Sequence, residues 1–310
     1  MKLQLTAIAA AVALAVSFSA SAASPVTEKT DLDNESWGVN NVSNSNFYTQ
    51  DDDAWEETAP PQNVFPTAQN SLNSIPTSSA LGSGTNIEST TQTGMNNSAS
   101  TVQTNTDNQS IIDQTGTSHF ADTDQQGEGN YSRVTQNLGL GGVVNTLQTG
   151  NFNRSAVDQF GGQYNGADIL QSGSDNSSFI RQGAVGGGAN SNAAYVTQTG
   201  DRNKSYIGQT HGDSNEATTN QHGMNGTSYI IQRGDANEAT LTQLMDATFN
   251  ESYILQDNRT FGAPGHDASV TQGGGNGNIA TVTQLGSSVA TADSTITQSG
   301  GSNQASVIQY

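Results

Sequence analysis

The sequence lacks cysteine altogether and is poor in basic and apolar residues. Without cysteine, neither a disulfide nor a thiolate metal site can form. Nine lysine and arginine residues against 28 acidic ones give a formal net charge of −19. The few cations are scattered, which argues against nucleic acid as a partner. Apolar residues make up 32% of the chain, against about 45–50% in ordinary globular proteins, so a conventional thick core is not expected.

A long apolar run occurs only at the N-terminus. Lys2 precedes "LTAIAAAVALAVSFSA" and then the small residues "SAAS". This pattern predicts a secretory signal peptide over residues 1–22, with Ala20 and Ala22 at the small-residue positions of the cleavage site. A transmembrane anchor is the alternative, but the run is short and rich in alanine, and no later segment could span a bilayer. We therefore expect an exported protein that does not span the membrane.

Residues 23–85 form an acidic leader that holds five of the six prolines. No period of 2 or 3.6 persists through it, so we expect it to be disordered in the secreted monomer. Its aromatic residues are Trp37, Phe47, Tyr48, Trp55 and Phe65. Two interpretations remain open: a solvated leader, or a recognition segment for secretion machinery or for a neighbouring chain.

From Asn86 onward the sequence repeats one unit: amide, any residue, small residue, any residue, β-branched residue, any residue, Gln. Gln closes nineteen such segments, and Asn stands six positions before it in fourteen of them. Self-similarity of this kind signals a stacked repeat architecture. Turn sequences such as "QTGDRN" and the β-branched residues favour strand-turn-strand units over helix.

Two segments make one repeat, because the small residue alternates between Ala and Ser and only every second link holds a large insertion. The link inside a repeat is expected to be a fixed tight turn. We therefore predict an all-β fold, a β-solenoid of stacked strand-turn-strand repeats with two parallel sheets facing each other. The half-repeat is 86–92, and the nine full repeats are 97–114, 119–136, 142–159, 165–182, 192–209, 215–232, 237–256, 266–284 and 292–309.

Stacking would place equivalent residues about 4.8 Å apart. Asn and Gln could then hydrogen-bond to their own copies in adjacent layers, which removes the cost of about 1–3 kcal/mol for a lone buried amide. We predict a self-assembly ladder that includes Asn153, Gln159, Asn165, Gln171, Asn176, Gln182, Asn192, Gln198, Asn203, Gln209, Asn303 and Gln309.

Outward-facing aromatic residues recur in alternate strands. Phe179, Tyr206, Tyr229 and Tyr253 share one position of the repeat, which predicts an exposed aromatic ladder on one sheet. Cross-strand packing that stabilises the sheet explains such a ladder. The alternative is a stripe that contacts dyes, glycans or a neighbouring fibril.

No catalytic, cofactor or metal site is predicted. His119 and His266 occupy the Asn position of the repeat and are expected to substitute for the amide, whereas His211 and His222 fall in turns. The acidic stretch "DTDQQGEGN" lacks the ligand pattern of a calcium loop.

The repeats resemble the curlin repeat, S-x5-Q-x-G-x2-N-x5-Q. The resemblance covers about 86–310 and is clearest in "NGADILQSGSDNSSFIRQ", "NAAYVTQTGDRNKSYIGQ" and "ADSTITQSGGSNQASVIQ", with Asn usually in place of the first Ser. It implies a secreted structural subunit, similar to the major subunits of the curlin family, that polymerises into extracellular amyloid fibres for cell adhesion and the biofilm matrix. The implied partners are other copies of the chain, a nucleator subunit and an outer-membrane secretion pore.

A monomeric secreted β-solenoid is the alternative, either an adhesin or an ice- or carbohydrate-binding protein. Regular outward Thr-x-Thr arrays would favour ice binding, but the outward threonines look scattered along the sequence. The last segment, "NQASVIQY", keeps the repeat and shows no cap, which favours the polymer.

Overall fold

The computed structural model describes residues 86–183, 189–258, 264–286 and 291–309. The predicted signal peptide and acidic leader lie outside these residues. The described residues form strands and no helix. The strands are β1 (Ile87–Met95), β2 (Ser98–Thr104), β3 (Gln109–Thr117), β4 (Phe120–Gln126), β5 (Tyr131–Leu140), β6 (Val143–Asn151), β7 (Arg154–Phe160), β8 (Gly166–Ser174), β9 (Ser177–Gly183), β10 (Ala193–Thr199), β11 (Lys204–Thr210), β12 (Glu216–Gln221), β13 (Thr227–Gly234), β14 (Glu238–Gln243), β15 (Glu251–Asn258), β16 (Asp267–Gly273), β17 (Ile279–Leu285), β18 (Asp293–Ser299) and β19 (Gln304–Gln309).

Successive strands alternate between two sheets. The odd-numbered strands form the ten-stranded sheet A, in chain order from β1 to β19, and the even-numbered strands form the nine-stranded sheet B. Each strand pairs in parallel with the strand two positions along the chain, as β9 does with β11 and β8 with β10. The predicted β-solenoid with two facing parallel sheets is confirmed. One strand of each sheet is called a layer below.

Register follows the repeat. Gln182 lies opposite Gln209 in sheet A, and Gln171 lies opposite Gln198 in sheet B. The Ser and Ala positions align in the same way, as Ser178 does with Ser205. Because a one-residue slip would move every amide from the core to the outside, the pattern specifies this register strongly.

The core is thin and lies between the two sheets. Sheet A contributes β-branched residues such as Ile180 and Ile207, and sheet B contributes residues such as Ala194 and Val196, all of them buried. Small and branched residues let the sheets approach closely, and the remaining inward positions are amides. This arrangement accounts for the low apolar content.

The link inside a repeat is not always a tight turn, so that prediction is wrong in two repeats, 237–256 and 266–284. The step from Gln243 to Gln256 is two residues longer than the step from Gln198 to Gln209. The extra chain length lies at the edge of the solenoid, where Leu244 and Met245 are exposed. Lengthening a surface connection costs little chain entropy, so both ends of a layer accept insertions.

Candidate self-assembly site

A column of buried glutamines runs through each sheet. In sheet A, the Nε2 of each Gln donates to the Oε1 of the Gln in the next layer toward the C-terminus. The Gln159–Gln182 and Gln182–Gln209 bonds are both 2.9 Å long. This column begins at Gln92 and ends at Gln309. The column of sheet B has the same direction and extends from Gln103 to Gln298.

The second N–H of the Gln amide donates a hydrogen bond across the core to the opposite sheet. The Nε2 of Gln182 donates to the backbone oxygen of Gly166 at 2.8 Å, and that of Gln171 donates to the backbone oxygen of Arg154 at 3.0 Å. Each Gln amide therefore ties two layers and two sheets together. Fully satisfied amides of this kind are compatible with a dry core.

The asparagines form a second ladder at the turn that precedes each strand. The backbone N–H and the Nδ2 of Asn176 both donate to the Oδ1 of Asn153, at 3.1 Å each. The Nδ2 of Asn176 also donates to the carbonyl oxygen of Gly200 in the next turn, at 2.7 Å. The Asn oxygen thus accepts from the following layer, whereas the Gln oxygen accepts from the preceding one. The two kinds of ladder therefore have opposite polarity.

His119 and His266 replace Asn in the ladder of sheet B. The Nδ1 of His119 accepts the backbone N–H of Gly142, and the Nδ1 of His266 accepts that of Ala292, both at 3.2 Å. The prediction that these histidines substitute for the amide is confirmed. Burial lowers the pKa of both imidazoles, and an accepting Nδ1 requires the neutral ring.

In the layer after each of these histidines, the Asn position of the repeat holds a smaller residue. This relation was not predicted from the sequence. A Cβ at Gly142 would lie 3.1 Å from the Nδ1 of His119 and 2.6 Å from the Oε1 of Gln159. The ring therefore needs a very small residue in the next layer. The signal in the sequence is that both histidines precede a layer in which Asn is replaced, by Gly142 or Ala292.

The ladders are open at both ends of the described solenoid. In the described chain, no donor reaches the Oε1 of Gln92 or of Gln103. At the other end, the Nε2 of Gln298 and that of Gln309 each donate only to a backbone carbonyl. One end thus presents amide acceptors and the other presents amide donors, so the two ends are complementary.

The predicted ladder residues lie in the columns that the repeat assigns to them. All are buried except Asn303 and Gln309, which are half-buried in the last layer. Those of sheet A are Asn153, Gln159, Asn176, Gln182, Asn203, Gln209, Asn303 and Gln309, and those of sheet B are Asn165, Gln171, Asn192 and Gln198. Their role in self-assembly stays a prediction.

The aromatic ladder lies on the outer face of sheet A, but it is not exposed as predicted. Successive ring centroids from Phe179 through Tyr206 and Tyr229 to Tyr253 are 5.7, 6.4 and 5.2 Å apart. Phe179 is only 4% exposed and Tyr253 only 1%. Adjacent rings cover one another, and a Cβ at Gly208 would lie 2.9 Å from the ring of Tyr206, which leans along its strand. Burial raises the pKa of Tyr206 to about 12, so this phenol stays neutral.

The outer faces of the two sheets differ in charge. Among the described residues, five of the six cationic side chains belong to sheet A, and the sixth, Arg202, lies in a turn. The five are Arg133, Arg154, Arg181, Lys204 and Arg233. Sheet B has no cation on its outer face and carries the carboxylates of Asp122, Asp124, Asp168, Glu216, Glu238, Asp267 and Asp293.

Hydroxyl residues line up on the outer face of sheet B, so the impression of scattered threonines is wrong. Thr218, Thr240, Ser269 and Thr295 form one column over four layers. Thr242, Thr271 and Thr297 form a second column over three layers, two residues further along each strand, and Asn220 holds the same position in the layer before them. Insertions between the strands hide this alignment in the linear sequence.

Parallel layers joined by amide ladders define the chain as a structural β-solenoid. Residues 212–244, which contain β12, β13 and β14, match the curlin associated repeat. The predicted resemblance to the curlin family is confirmed over these residues. No curated protein matches the chain. Over its described residues, the chain has no long apolar helix that could cross a membrane.

Proposed function

We propose that the chain polymerises with copies of itself into an extracellular amyloid fibre. The complementarity of the two solenoid ends is the observation that supports this most strongly. Docking β1 and β2 of one copy onto β18 and β19 of another would continue both stacks of parallel strands, with sheet A of the second copy following sheet B of the first, as an odd number of strands requires. An open sheet edge is a template for a matching strand, and here the ladder donors of one end also meet the ladder acceptors of the other.

The junction would also satisfy groups that are only partly paired in a single copy. The Nε2 of Gln298 would donate to the Oε1 of Gln92, and the Nε2 of Gln309 to the Oε1 of Gln103. Each such bond contributes about 0.5–1.5 kcal/mol, in addition to the backbone bonds of two strand pairs. Repeated identical layers joined in this way form the cross-β arrangement that makes amyloid stable.

The curlin repeat supports further proposals about the setting of this fibre. The chain is exported and polymerises at the cell surface, where it serves adhesion and the biofilm matrix. A nucleator subunit starts the fibre, and an outer-membrane pore releases the chain before it folds.

Polymerisation is tested on the purified mature chain, residues 23–310, without added cofactor. Thioflavin T fluorescence should rise after a lag, and preformed fibres should remove the lag. Fibre diffraction should show a strand spacing of about 4.8 Å along the fibre axis. A chain that stays monomeric with and without seeds under dilute physiological conditions would contradict the proposal.

A second candidate function is ice binding by the hydroxyl columns of sheet B. Four layers place these side chains in a grid of about 4.8 Å between layers and about 6.7 Å along each strand. The test is inhibition of ice recrystallisation by the mature chain. Thr242→Lys should abolish the effect and Ser98→Lys, in the same sheet but outside the columns, should not. Absence of inhibition by the wild-type chain removes this candidate.

A further inference from the structure

Side chains on the outer face of sheet A are buried, although no described strand lies on it. In its central layers Ala156, Tyr229 and Leu255 are at most 5% exposed. On the outer face of sheet B, Leu170 and Tyr195 are 40% and 39% exposed. Within the described residues, the strands of sheet A pair with each other and face sheet B only on their inner side. Such low exposure is typical of a face that is covered, and the chemistry of the face indicates which segment would fit it.

We propose that the acidic leader, residues 24–85, docks across the outer face of sheet A. The face combines the aromatic ladder with the five cationic side chains of sheet A. Three of these cations have assigned contacts: Arg133 pairs with Asp158 at 3.3 Å, Arg233 pairs with Asp257 at 3.7 Å, and Arg181 lies over the Phe160 ring at 5.6 Å. The face also carries Asp113 and Glu251, so Arg154 and Lys204 are the cations offered to a carboxylate from outside the sheet. The segment that fits such a face is anionic and carries aromatic rings of its own.

The leader has that composition. It contains nine carboxylates against the single Lys29, together with five aromatic residues and five prolines. Its carboxylates can pair with Arg154 and Lys204, and its rings can pack on the tyrosines. Prolines keep the backbone extended and remove donors, so the leader can cover the face without adding a strand to the sheet.

The connection to the solenoid makes this docking possible within one chain. The leader ends beside Asn86, directly before β1, which is the edge strand of sheet A. The buried face from β5 to β17 spans six layer steps, or about 29 Å. A leader of 62 residues reaches up to about 200 Å when extended, so its length is ample. The docked leader would keep the aromatic face dry and leave both solenoid ends free.

Zero-length coupling of amines to carboxylates tests the contact in the full mature chain. Lys204 projects from sheet A and is the only lysine beyond the leader. Unlabelled and nitrogen-15-labelled chains are mixed before coupling, so that a cross-linked peptide pair from one chain carries a single label state. We expect Lys204 to couple to leader carboxylates such as Asp52 or Glu56, and both peptides of each pair to be either unlabelled or labelled. Mixed-isotope pairs with the leader would place a neighbouring copy's leader on the face and overturn the intrachain proposal. Coupling of Lys204 to sheet B carboxylates of another copy would show that lateral fibril packing covers the face. That result would also overturn the intrachain proposal.

Tryptophan fluorescence gives a second readout, because Trp37 and Trp55 are the only tryptophans and both lie in the leader. In the folded mature chain we expect acrylamide to quench them several-fold less than in denaturant. Tyr229→Thr removes one ring of the aromatic ladder and should therefore increase the quenching. Threonine fits this position, since Thr281 occupies the same column two layers further on. The matched control, Tyr195→Thr, changes the corresponding position of sheet B and should not.

Two fluorescence results would overturn the proposal: wild-type tryptophans quenched as fully as in denaturant, or equal effects of Tyr229→Thr and Tyr195→Thr. Both readouts are taken on the soluble chain and on fibres. Protected tryptophans in a chain that never forms fibres would support docking and contradict polymerisation, so the two proposals fail separately.

Discussion

At the residue scale, the glycine two positions after the ladder Gln is required by the adjacent layer. Gly150 has a φ of +108°, and a Cβ there would lie 2.1 Å from the carbonyl oxygen of Gly173. The same close approach recurs between Gly173 and Gly200. The glycine therefore serves both the backbone conformation and the close stacking of the turns.

Gly150→Ala should destabilise the folded chain by at least about 2 kcal/mol, because it adds backbone strain to a steric overlap. Gly166→Ala is the matched control, since a Cβ at Gly166 meets no atom within 4 Å. That control should be neutral or stabilise by about 0.4–1 kcal/mol. The measurement is the denaturation midpoint of each variant, and equal midpoints would contradict the stacking role of Gly150.

The two ladder histidines predict a pH dependence of stability. Their pKa is lowered in the folded chain, so the unfolded chain binds protons more readily as the pH falls. Their contribution is fully present above the ordinary pKa of about 6.5 and is lost as the pH falls below it. At His266, Asp257 and Asp293 partly oppose the lowering.

Replacing both ladder histidines with Asn should therefore flatten the loss of stability between about pH 7 and pH 5. The amide oxygen can accept the same backbone N–H and does not titrate in this range. His211→Asn is the control, because His211 lies exposed in a turn. Denaturation midpoints over the pH series measure the effect, and an unchanged slope in the double variant would refute it.

At the element scale, each inner ladder Gln bridges its two adjacent layers and the opposite sheet. Gln182 accepts from Gln159 and donates to Gln209 and to the backbone oxygen of Gly166. Gln182→Leu leaves these groups without a partner, at about 1–3 kcal/mol for each buried group. Gln182→Glu should cost more, because a carboxylate cannot donate and its charge is buried.

Gln126→Glu is the matched control for the ladder variants. Gln126 is exposed at the end of β4, and its amide contacts only the side chain of Asp124. Its replacement should change stability by no more than about 0.5 kcal/mol. If Gln182→Leu and Gln126→Glu shift the denaturation midpoint equally, the ladder does not stabilise the solenoid.

The elements themselves could be predicted from the sequence, because one pattern determines strand position, register and the inward amides. The spacing from Asn203 to Gln209 predicts the inward face of β11 as the structure has it. The exposure of the outer-face side chains and their alignment between layers could not be predicted in this way. Strand alternation assigns Tyr206 to solvent, whereas the rings of Phe179 and Tyr229 in the adjacent layers lie against it. The hydroxyl columns depend on the register between strands. Loops of unequal length hide that register in the linear sequence.

At the scale of the whole molecule, the first layer carries a feature that opposes docking. Glu88 occupies the inward small-residue column, opposite Ser110 of the next layer. At a junction it would be enclosed between Ser110 of its own chain and Ser294 of the preceding copy. Burying an unpaired carboxylate is costly, so Glu88 should limit the rate of fibre growth.

Glu88→Ser should accelerate seeded elongation by about tenfold or more, which corresponds to about 1.4 kcal/mol of junction energy. Glu128→Ser makes the same change of charge in an exposed turn and should leave the rate unchanged. Elongation is followed by thioflavin T at equal monomer and seed concentrations. A Glu88→Ser rate equal to wild type would show that β1 is not buried at a growth surface.

The central claim is that copies join head to tail with the ladders continuing across the junction. In that arrangement Thr295 of β18 in one copy lies beside Ser89 of β1 in the next, and both side chains are exposed. Adjacent parallel strands are about 4.8 Å apart, within the range of about 4.4–6.8 Å between Cα atoms that a disulfide accepts. Because the chain has no cysteine of its own, introduced cysteines report only this contact.

Non-reducing electrophoresis of oxidised fibres made from the double variant Ser89→Cys and Thr295→Cys is the most direct measurement. The head-to-tail arrangement predicts a ladder of covalent multimers for the double variant and monomers alone for each single variant. Dimers from either single variant would indicate like ends in contact. Fibres of the double variant that run only as monomers would contradict the continuous stack.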